Sequence, residues 1–262
     1  MPAWLAVTIL GVIEGVTEFL PISSTGHLLL VENAGWVPRQ SDLFNITIQS
    51  GAALAVLLAF GGRLRDLAAR RREPAARVYL LKLGLAFAIT GVGGLVIKGL
   101  GAGLPKEISP IAWATLLGGI AILAIEWALR ARPSGLDVTW VMAVAVGLGQ
   151  LLAAVFPGTS RSAATILVVM LLGLSRPAAT EFSFLVGVPT LLAAGGLEMS
   201  QALRHPEGAS TEWGLVALGT AVSAVTAFAA VRWLLRFIQT HSFVPFGWYR
   251  VALGLVLMTR LG

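Results

Sequence analysis

The feature that most constrains this chain is the length of its apolar segments. A helix needs about 20 mostly apolar residues to cross a bilayer, and much of the chain falls into blocks of that kind. The blocks lie at 3–20, 44–60, 79–100, 111–129, 138–156, 163–173, 182–202, 213–235 and 246–261. They are rich in Ala and Leu and lack the alternation of membrane β-strands. We therefore predict an all-α polytopic membrane protein with about six full spans.

Composition excludes several other classes of protein. Only 12% of the 262 residues are charged, against about 25% in an ordinary soluble domain. A typical soluble protein, a disordered chain and a nucleic-acid binder are excluded, despite the net charge of +6. There is no cysteine, so neither a disulfide framework nor thiol chemistry is expected. The first block lacks a basic flank and contains carboxylates, unlike a cleavable signal. We expect one integral membrane domain, 1–262.

Arginines predict the orientation of the spans. Short loops rich in Lys and Arg face the cytoplasm, and six arginines lie between the second and third blocks, at 63, 65, 70, 71, 72 and 77. Arg130 and Arg132 follow the fourth block and should lie on the same side. The segment 138–156 would then run outwards and the segment 44–60 inwards. The polar segments next to them are expected to meet near the external face.

The first polar segment begins inside the first apolar block. Glu14 and Glu18 lie four residues apart, so they share a face of a helix, where a divalent cation, a nearby Arg or a shared proton must compensate them. An oxygen-only pair suits Mg²⁺ or Ca²⁺. Pro21 should end this helix, and Ser23, Ser24 and Thr25 are suitable N-caps for the next. Ser24 and His27 are close enough to act as a hydroxyl with an acid/base imidazole.

The second polar segment, 157–165, reads Pro-Gly-Thr-Ser-Arg-Ser-Ala-Ala-Thr. At membrane depth Arg161 needs an anionic partner, and its planar fork matches phosphate oxygens. The alternative partner is Glu14 or Glu18, in a structural ion pair. Together the two segments suit a phosphate or pyrophosphate that carries a metal ion, with a lipid tail among the helices.

An internal repeat relates the two polar segments. Aligning Pro21 with Pro157 pairs Gly11 with Gly147, Glu14 with Gln150 and Ser24 with Ser160. We predict pseudo-repeat halves of about 1–130 and 131–262, inverted in the membrane, each with a re-entrant helix pair. Broken helices in inverted repeats are typical of transporters, so a lipid or anion transporter, or a flippase, is the alternative function.

The segments 14–27 and 157–165, with 181–185, resemble the undecaprenyl-pyrophosphate phosphatase family, the bacitracin-resistance type. The resemblance implies an inner-membrane enzyme with its site towards the periplasmic face. It would remove the terminal phosphate of undecaprenyl pyrophosphate and recycle the carrier lipid for peptidoglycan and other wall polymers. It also implies dependence on Mg²⁺ or Ca²⁺ and a homodimer. Membrane lipids and the polyprenyl pyrophosphate are the expected partners, with no nucleic acid.

On this basis we assign expected roles to the residues of both segments. Ser24 would attack the terminal phosphorus and His27 would move the proton, with His27 as the alternative nucleophile. Glu14 and Glu18 would hold the metal or polarise the nucleophile, and Arg161 would stabilise negative charge. The further phosphate-binding candidates are Ser23, Thr25, Ser160, Ser162, Thr165 and Gln49.

Overall fold

In a computed structural model, residues 1–100, 108–130, 134–204 and 212–259 are described. These ranges contain eleven α-helices and no β-sheet, apart from one isolated bridge between Gly135 and Leu174. The helices are α1 (Ala3–Thr17), α2 (Ser24–Asn33), α3 (Asp42–Ala59), α4 (Gly61–Ala69), α5 (Pro74–Gly99), α6 (Ile108–Ala128), α7 (Trp140–Val155), α8 (Arg161–Leu171), α9 (Arg176–Arg204), α10 (Trp213–Phe237) and α11 (Val244–Met258).

Five helices of the described ranges are long and apolar enough to cross a membrane: α3, α5, α6, α9 and α10. Their surfaces are apolar as well, since Leu58, Trp127 and Val225 are all more than 70% exposed. A soluble protein would not leave such side chains in water over so wide an area, whereas lipid solvates them. The chain is a multi-pass membrane protein. The apolar block 246–261 corresponds to α11, whose 15 residues extend only about 22 Å at 1.5 Å per residue.

Two pairs of short helices differ from the spans. A turn containing Pro21 separates α1 from α2, and a turn containing Pro157 separates α7 from α8. The helix after each turn begins behind a serine whose φ is positive, 72° at Ser23 and 67° at Ser160. Each serine hydroxyl accepts a backbone N–H three residues later, from Gly26 and Ala163 respectively. The two breaks are therefore built in the same way.

The two short pairs make matching contacts with the long helices. Helix α1 packs against α10, which also contacts α3, while α7 packs against α5, which also contacts α9. The other large interfaces are α3 with α9, α6 with α11 and α7 with α8, followed by α8 with α9. Gly15 of α1 lies so close to Thr226 and Ser223 that a Cβ would clash with both. The break after α1 therefore starts at mid-length of α10.

Helices α6 and α11 approach closely through glycines. A Cβ on Gly119 would lie 2.8 Å from the Gly247 carbonyl oxygen, and one on Gly254 would lie 2.8 Å from the Leu116 backbone. Small residues allow this approach in membrane helices.

The arginine-rich loop expected at 61–77 differs from the prediction. Its first part is helical, as α4, and α5 begins earlier than the apolar block suggests, with Pro74 in its first turn. Pro suits that position because its missing N–H would have no partner there. The arginines themselves stay exposed or half-exposed along this segment.

Candidate active site

The two polar segments meet where the helices break. The Ser162 hydroxyl donates to the Leu20 carbonyl oxygen at 3.0 Å, which joins the start of α8 to the turn between α1 and α2. Beside this contact, the Arg161 guanidinium donates to Glu18 across 143 positions of sequence. The predicted meeting of the two motifs in one site is therefore present in the structure.

Glu18 is the centre of the site. Its Oε2 accepts the Ser24 hydroxyl at 2.6 Å, and its Oε1 accepts Arg161 Nη2 at 2.8 Å. Arg161 also donates to the Gly187 carbonyl oxygen at 3.2 Å and lies over the Phe19 ring. The Glu18 side chain is 8% exposed and that of Arg161 16%, so the pair is largely shielded from water. Of the compensations expected for Glu18, the structure contains the arginine.

Glu14 has no such compensation. Its side chain is fully buried, and neither carboxylate oxygen makes a hydrogen bond within the described ranges. Its neighbour one helical turn later is Glu18, whose backbone N–H donates to the Glu14 carbonyl oxygen at 2.9 Å. The charges that act on Glu14 are therefore one of like sign, on Glu18, and one of opposite sign, on Arg161. A buried carboxylate without a partner is costly, so this position calls for a cation or a proton.

His27 is close to the site but faces another helix. Its Nδ1 lies 2.7 Å from the Ser23 carbonyl oxygen, and its Nε2 lies 2.7 Å from the Tyr249 hydroxyl. The two rings are stacked, 5.5 Å apart and nearly parallel. A carbonyl only accepts, so Nδ1 carries the proton and Nε2 accepts from Tyr249. No hydrogen bond joins His27 to Ser24, which instead bonds to Glu18.

The remaining predicted residues divide into those that build the turns and those without polar partners. Ser23 and Ser160 are the N-caps, and the Ser160 and Ser162 hydroxyls lie 3.1 Å apart. Thr165 donates to carbonyls of its own helix, those of Arg161 and Ser162. Within the described ranges, two predicted residues lie half-buried and form no hydrogen bond through their side chains, namely Thr25 and Gln49.

The structure pairs the residues of the two turns differently from the sequence alignment. Ser23 and Ser160 are both N-caps, so the first residues of the following helices, Ser24 and Arg161, occupy the same place in the two turns. The alignment on proline pairs Ser24 with Ser160, one residue away, because the second turn is one residue longer between its proline and its cap.

Two residues of α11 belong to the site and were missed by the sequence reasoning. Tyr249 contacts His27, and Arg250 contacts the carbonyls of the second turn. A signal for Arg250 was available, since an arginine inside an apolar block is a functional candidate by default. Tyr249 gave no signal, because its contact spans 222 positions.

The site offers limited protein ligands for a metal. Among the described residues no group of three or more His, Cys, Asp or Glu side chains could hold an ion. Glu14 and Glu18 supply carboxylate oxygens alone. Mg²⁺ commonly binds through one or two carboxylates and completes its shell with water and substrate phosphates, so the pair fits such an ion.

Fold and site together define a multi-pass membrane protein with a buried polar centre that combines carboxylates, a polarised hydroxyl and an arginine. Known proteins identify it further. A family model described as "Bacitracin resistance protein BacA" matches residues 7–256. The chain belongs to the BacA family.

Curated relatives match the chain over nearly its whole length. An undecaprenyl-diphosphatase of Rhizobium etli is 49% identical over 256 residues, covering 97% of this chain and 96% of the relative. A protein of the same name from Xylella fastidiosa is 49% identical over 253 residues, 96% of each chain. Another from Xanthomonas axonopodis pv. citri is 47% identical over 258 residues, covering 98% of this chain and 97% of the relative.

Proposed function

We propose that this protein is an undecaprenyl-diphosphatase, an integral membrane hydrolase that converts undecaprenyl pyrophosphate to undecaprenyl phosphate and inorganic phosphate. The observation that carries the assignment of the site is the bond from the Ser24 hydroxyl to Glu18, with Arg161 on the other oxygen of the same carboxylate. The transporter alternative is not favoured, because the relatives are named for the phosphatase reaction and transport gives a polarised serine no task.

In the first step, Ser24 Oγ forms a bond to the terminal phosphorus. The bridging P–O bond breaks, and undecaprenyl phosphate leaves with the electron pair. Glu18 accepts the serine proton, for which it is already positioned at 2.6 Å. Water then attacks the phosphoserine, releases inorganic phosphate and restores the hydroxyl. Arg161 moves from Glu18 towards the phosphoryl oxygens as that carboxylate is protonated, and it stabilises their charge.

His27 has a supporting role in this scheme. Its Nε2 accepts from Tyr249, and its Nδ1 is engaged by a carbonyl, so neither nitrogen has a lone pair free for attack. Ser24 is therefore the better nucleophile in this geometry. His27 would exchange a proton with solvent or the leaving group through Tyr249, and it orients the turn that presents Ser24.

A divalent cation, Mg²⁺ or Ca²⁺, fits beside the carboxylates. Glu14 is buried without a hydrogen bond, and a cation would neutralise it together with Glu18. When bound, such an ion supplies charge neutralisation at the pyrophosphate oxygens. Thr25, Gln49 and the hydroxyls of Ser160 and Ser162 are the polar groups available to complete the phosphate site. Thr165 would act by holding the first turn of α8.

The reciprocal helix contacts support an inverted repeat. Exchanging α1, α2, α3, α5 and α6 for α7, α8, α9, α10 and α11 turns the contacts of α10 with α1 and α3 into those of α5 with α7 and α9, and it leaves the α3–α9 and α6–α11 contacts unchanged. The identical N-caps with positive φ support it independently. In this scheme α1–α2 and α7–α8 are re-entrant pairs that enter from opposite faces, in halves of about 1–130 and 131–262. The homodimer remains an expectation from the family.

We assign the arginine-rich end to the cytoplasm. Helices α3 and α10 run in the same direction, since Ile48 accepts from Ser223 and Leu58 lies in the same cavity as Arg232 and Arg236. The exposed arginines of α4 lie at that end as well, and positive loops face the cytoplasm. The same end is tied by the ion pairs Arg63–Glu181 and Arg176–Glu126. The substrate would therefore enter from the opposite, external face of a bacterial inner membrane.

The test is phosphate release from undecaprenyl pyrophosphate by purified protein in detergent, where transport has no meaning. We expect release that EDTA abolishes, and losses of at least about 100-fold in Ser24→Ala, Glu18→Gln and Arg161→Lys. Thr8→Ala is the control, because Thr8 bonds only to its own helix, at the Trp4 carbonyl. Mass spectrometry of a reaction quenched with denaturant at neutral pH, where phosphoserine and phosphohistidine both survive, should find phosphate on Ser24. Phosphohistidine at His27, or full activity in Ser24→Ala, would overturn the serine mechanism.

A further inference from the structure

Arg250 is a buried cation in a place that the scheme above does not explain. Its side chain is fully buried in α11, and within the described ranges it forms no ion pair with a carboxylate. It donates instead to four backbone carbonyl oxygens. Two belong to α6, those of Ala114 and Thr115, at 3.1 and 3.2 Å. The other two belong to the second turn, those of Gly158 and Thr159, at 2.9 and 2.8 Å.

The four carbonyl oxygens belong to two different kinds of backbone. The oxygens of Ala114 and Thr115 lie inside a helix, where the ladder already uses them. The oxygens of Gly158 and Thr159 lie in an irregular turn with no ladder to hold them. A guanidinium has a rigid planar fork, so Arg250 fixes the turn against a regular helix, and the Thr115 hydroxyl of that helix adds a longer bond to the Gly158 oxygen, at 3.4 Å. The turn immediately precedes Arg161.

Fixing these carbonyls also fixes the peptide N–H groups behind them. In a trans peptide the C=O and N–H point in opposite directions, and no cis peptide occurs in the described ranges. With the Thr159 oxygen held by Arg250, the Ser160 N–H points away from Arg250. That N–H forms no hydrogen bond among the described residues, whereas the Thr159 N–H donates to Phe156. The turn thus has a free backbone donor at the residue that immediately precedes Arg161.

We propose that Arg250 is a positioning residue for phosphate binding. It holds the turn 157–160 so that the Ser160 N–H and Arg161 converge on a phosphoryl group, and its own charge makes the turn electropositive. The proposal rests on the phosphate site described above and adds a residue from the last helix to it. The neighbouring Tyr249 contacts His27, so consecutive residues of α11 support the two polar segments.

The first test is Arg250→Lys. An ammonium keeps the charge but cannot reach four carbonyls arranged for a planar fork. We expect kcat/KM for undecaprenyl pyrophosphate to fall about 10- to 100-fold, chiefly through a higher KM. The inhibition constant of inorganic pyrophosphate should rise in parallel. A purely structural role predicts a lower melting temperature with KM and this inhibition constant unchanged in the folded fraction, and that result would refute the proposal.

A second variant leaves the arginine in place. A Cβ on Gly118 would lie 2.0 Å from Arg250 Nη2, so Gly118→Ala must push the guanidinium off its carbonyls. The same rise in KM and in the inhibition constant is expected. Gly94→Ala is the matched control, because a Cβ there meets nothing within 4 Å, and it should behave as the unmodified protein. Unchanged constants in Gly118→Ala would also count against the proposal.

Arg161→Lys, measured in parallel, separates this inference from the phosphate site on which it rests. If Arg161→Lys is impaired and both Arg250→Lys and Gly118→Ala are normal, only the role of Arg250 is wrong. If Arg161→Lys is fully active with unchanged inhibition by pyrophosphate, the phosphate site itself is wrong.

Discussion

Glu14→Gln should stabilise the metal-free protein while it inactivates the enzyme. Glu14 is fully buried, lacks a hydrogen bond within the described ranges and lies one turn from Glu18. The comparison is made at a pH high enough to ionise both carboxylates. Cβ atoms at this spacing are about 5.5 Å apart, and two full charges at that distance repel by about 3 kcal/mol at an effective dielectric constant of about 20. Attraction to Arg161 offsets part of this, but it is the smaller of the two effects. A neutral amide of the same shape removes the repulsion.

We expect a net gain of about 2 kcal/mol, hence a rise in melting temperature of about 4–8 °C for a chain of this size. The assay is thermal unfolding in detergent with EDTA, followed by tryptophan fluorescence. Adding Mg²⁺ or Ca²⁺ should raise the melting temperature of the unmodified protein, because a ligand that binds only the folded state stabilises it. That rise should disappear in Glu14→Gln, together with phosphate release.

Glu73→Gln is the control for the chemical change itself. Glu73 accepts from Arg70, and both side chains are about half exposed, so no measurable change in melting temperature is expected. If Glu14→Gln instead melts below the unmodified protein in EDTA, Glu14 is compensated by a partner, and the case for a cation at this carboxylate fails.

Three further predictions concern stability. Glu126 is buried and accepts from Arg176 and from the Phe243 N–H, so Glu126→Ala should lower stability by about 3 kcal/mol in thermal unfolding; a loss below about 1 kcal/mol would mean that water replaces the pair. Gly119→Ala should prevent close packing of α6 on α11, seen as reduced yield of folded protein by size-exclusion chromatography; normal yield and melting would contradict this. Ser160→Ala loses the cap and keeps the strain of a positive φ, whereas Ser160→Gly loses the cap and relieves the strain, so alanine should be less stable by about 1 kcal/mol; equal melting temperatures would show that the φ is not strained.

The helices could be predicted from the sequence because their signals are local. Long apolar blocks predicted the long helices, and the short block 163–173 corresponds to α8, which has 11 residues. Prolines 21 and 157 marked both breaks. The helical start of the arginine-rich loop was not predicted, because charge patterning predicted the side of the membrane on which it lies and not its conformation.

The candidate site was predictable in composition but only partly in geometry. The ion pair of Glu18 with Arg161 was the alternative to a phosphate partner, because an arginine at membrane depth needs an anionic partner of some kind. The bond from Ser24 to Glu18 was not preferred over one to His27, because the chain reverses at Pro21 and the turn decides which residue Ser24 faces. Tyr249 and Arg250 reach the site because α11 packs on α6. That packing depends on glycines that lie opposite the other helix, and no local motif signals it.

The paired turns imply a division of labour between backbone and side chain. Each turn delivers the first residue of a new helix, behind a serine with positive φ, to the same polar centre. In one turn that residue is Ser24, the proposed nucleophile, and in the other it is Arg161, the proposed ligand of the phosphoryl oxygens. The same capped helix start, present in both turns, thus places two complementary side chains in one site. The first turn is one residue shorter than the second, yet both end in the same cap, so the difference in chemistry lies in the side chain that follows the cap.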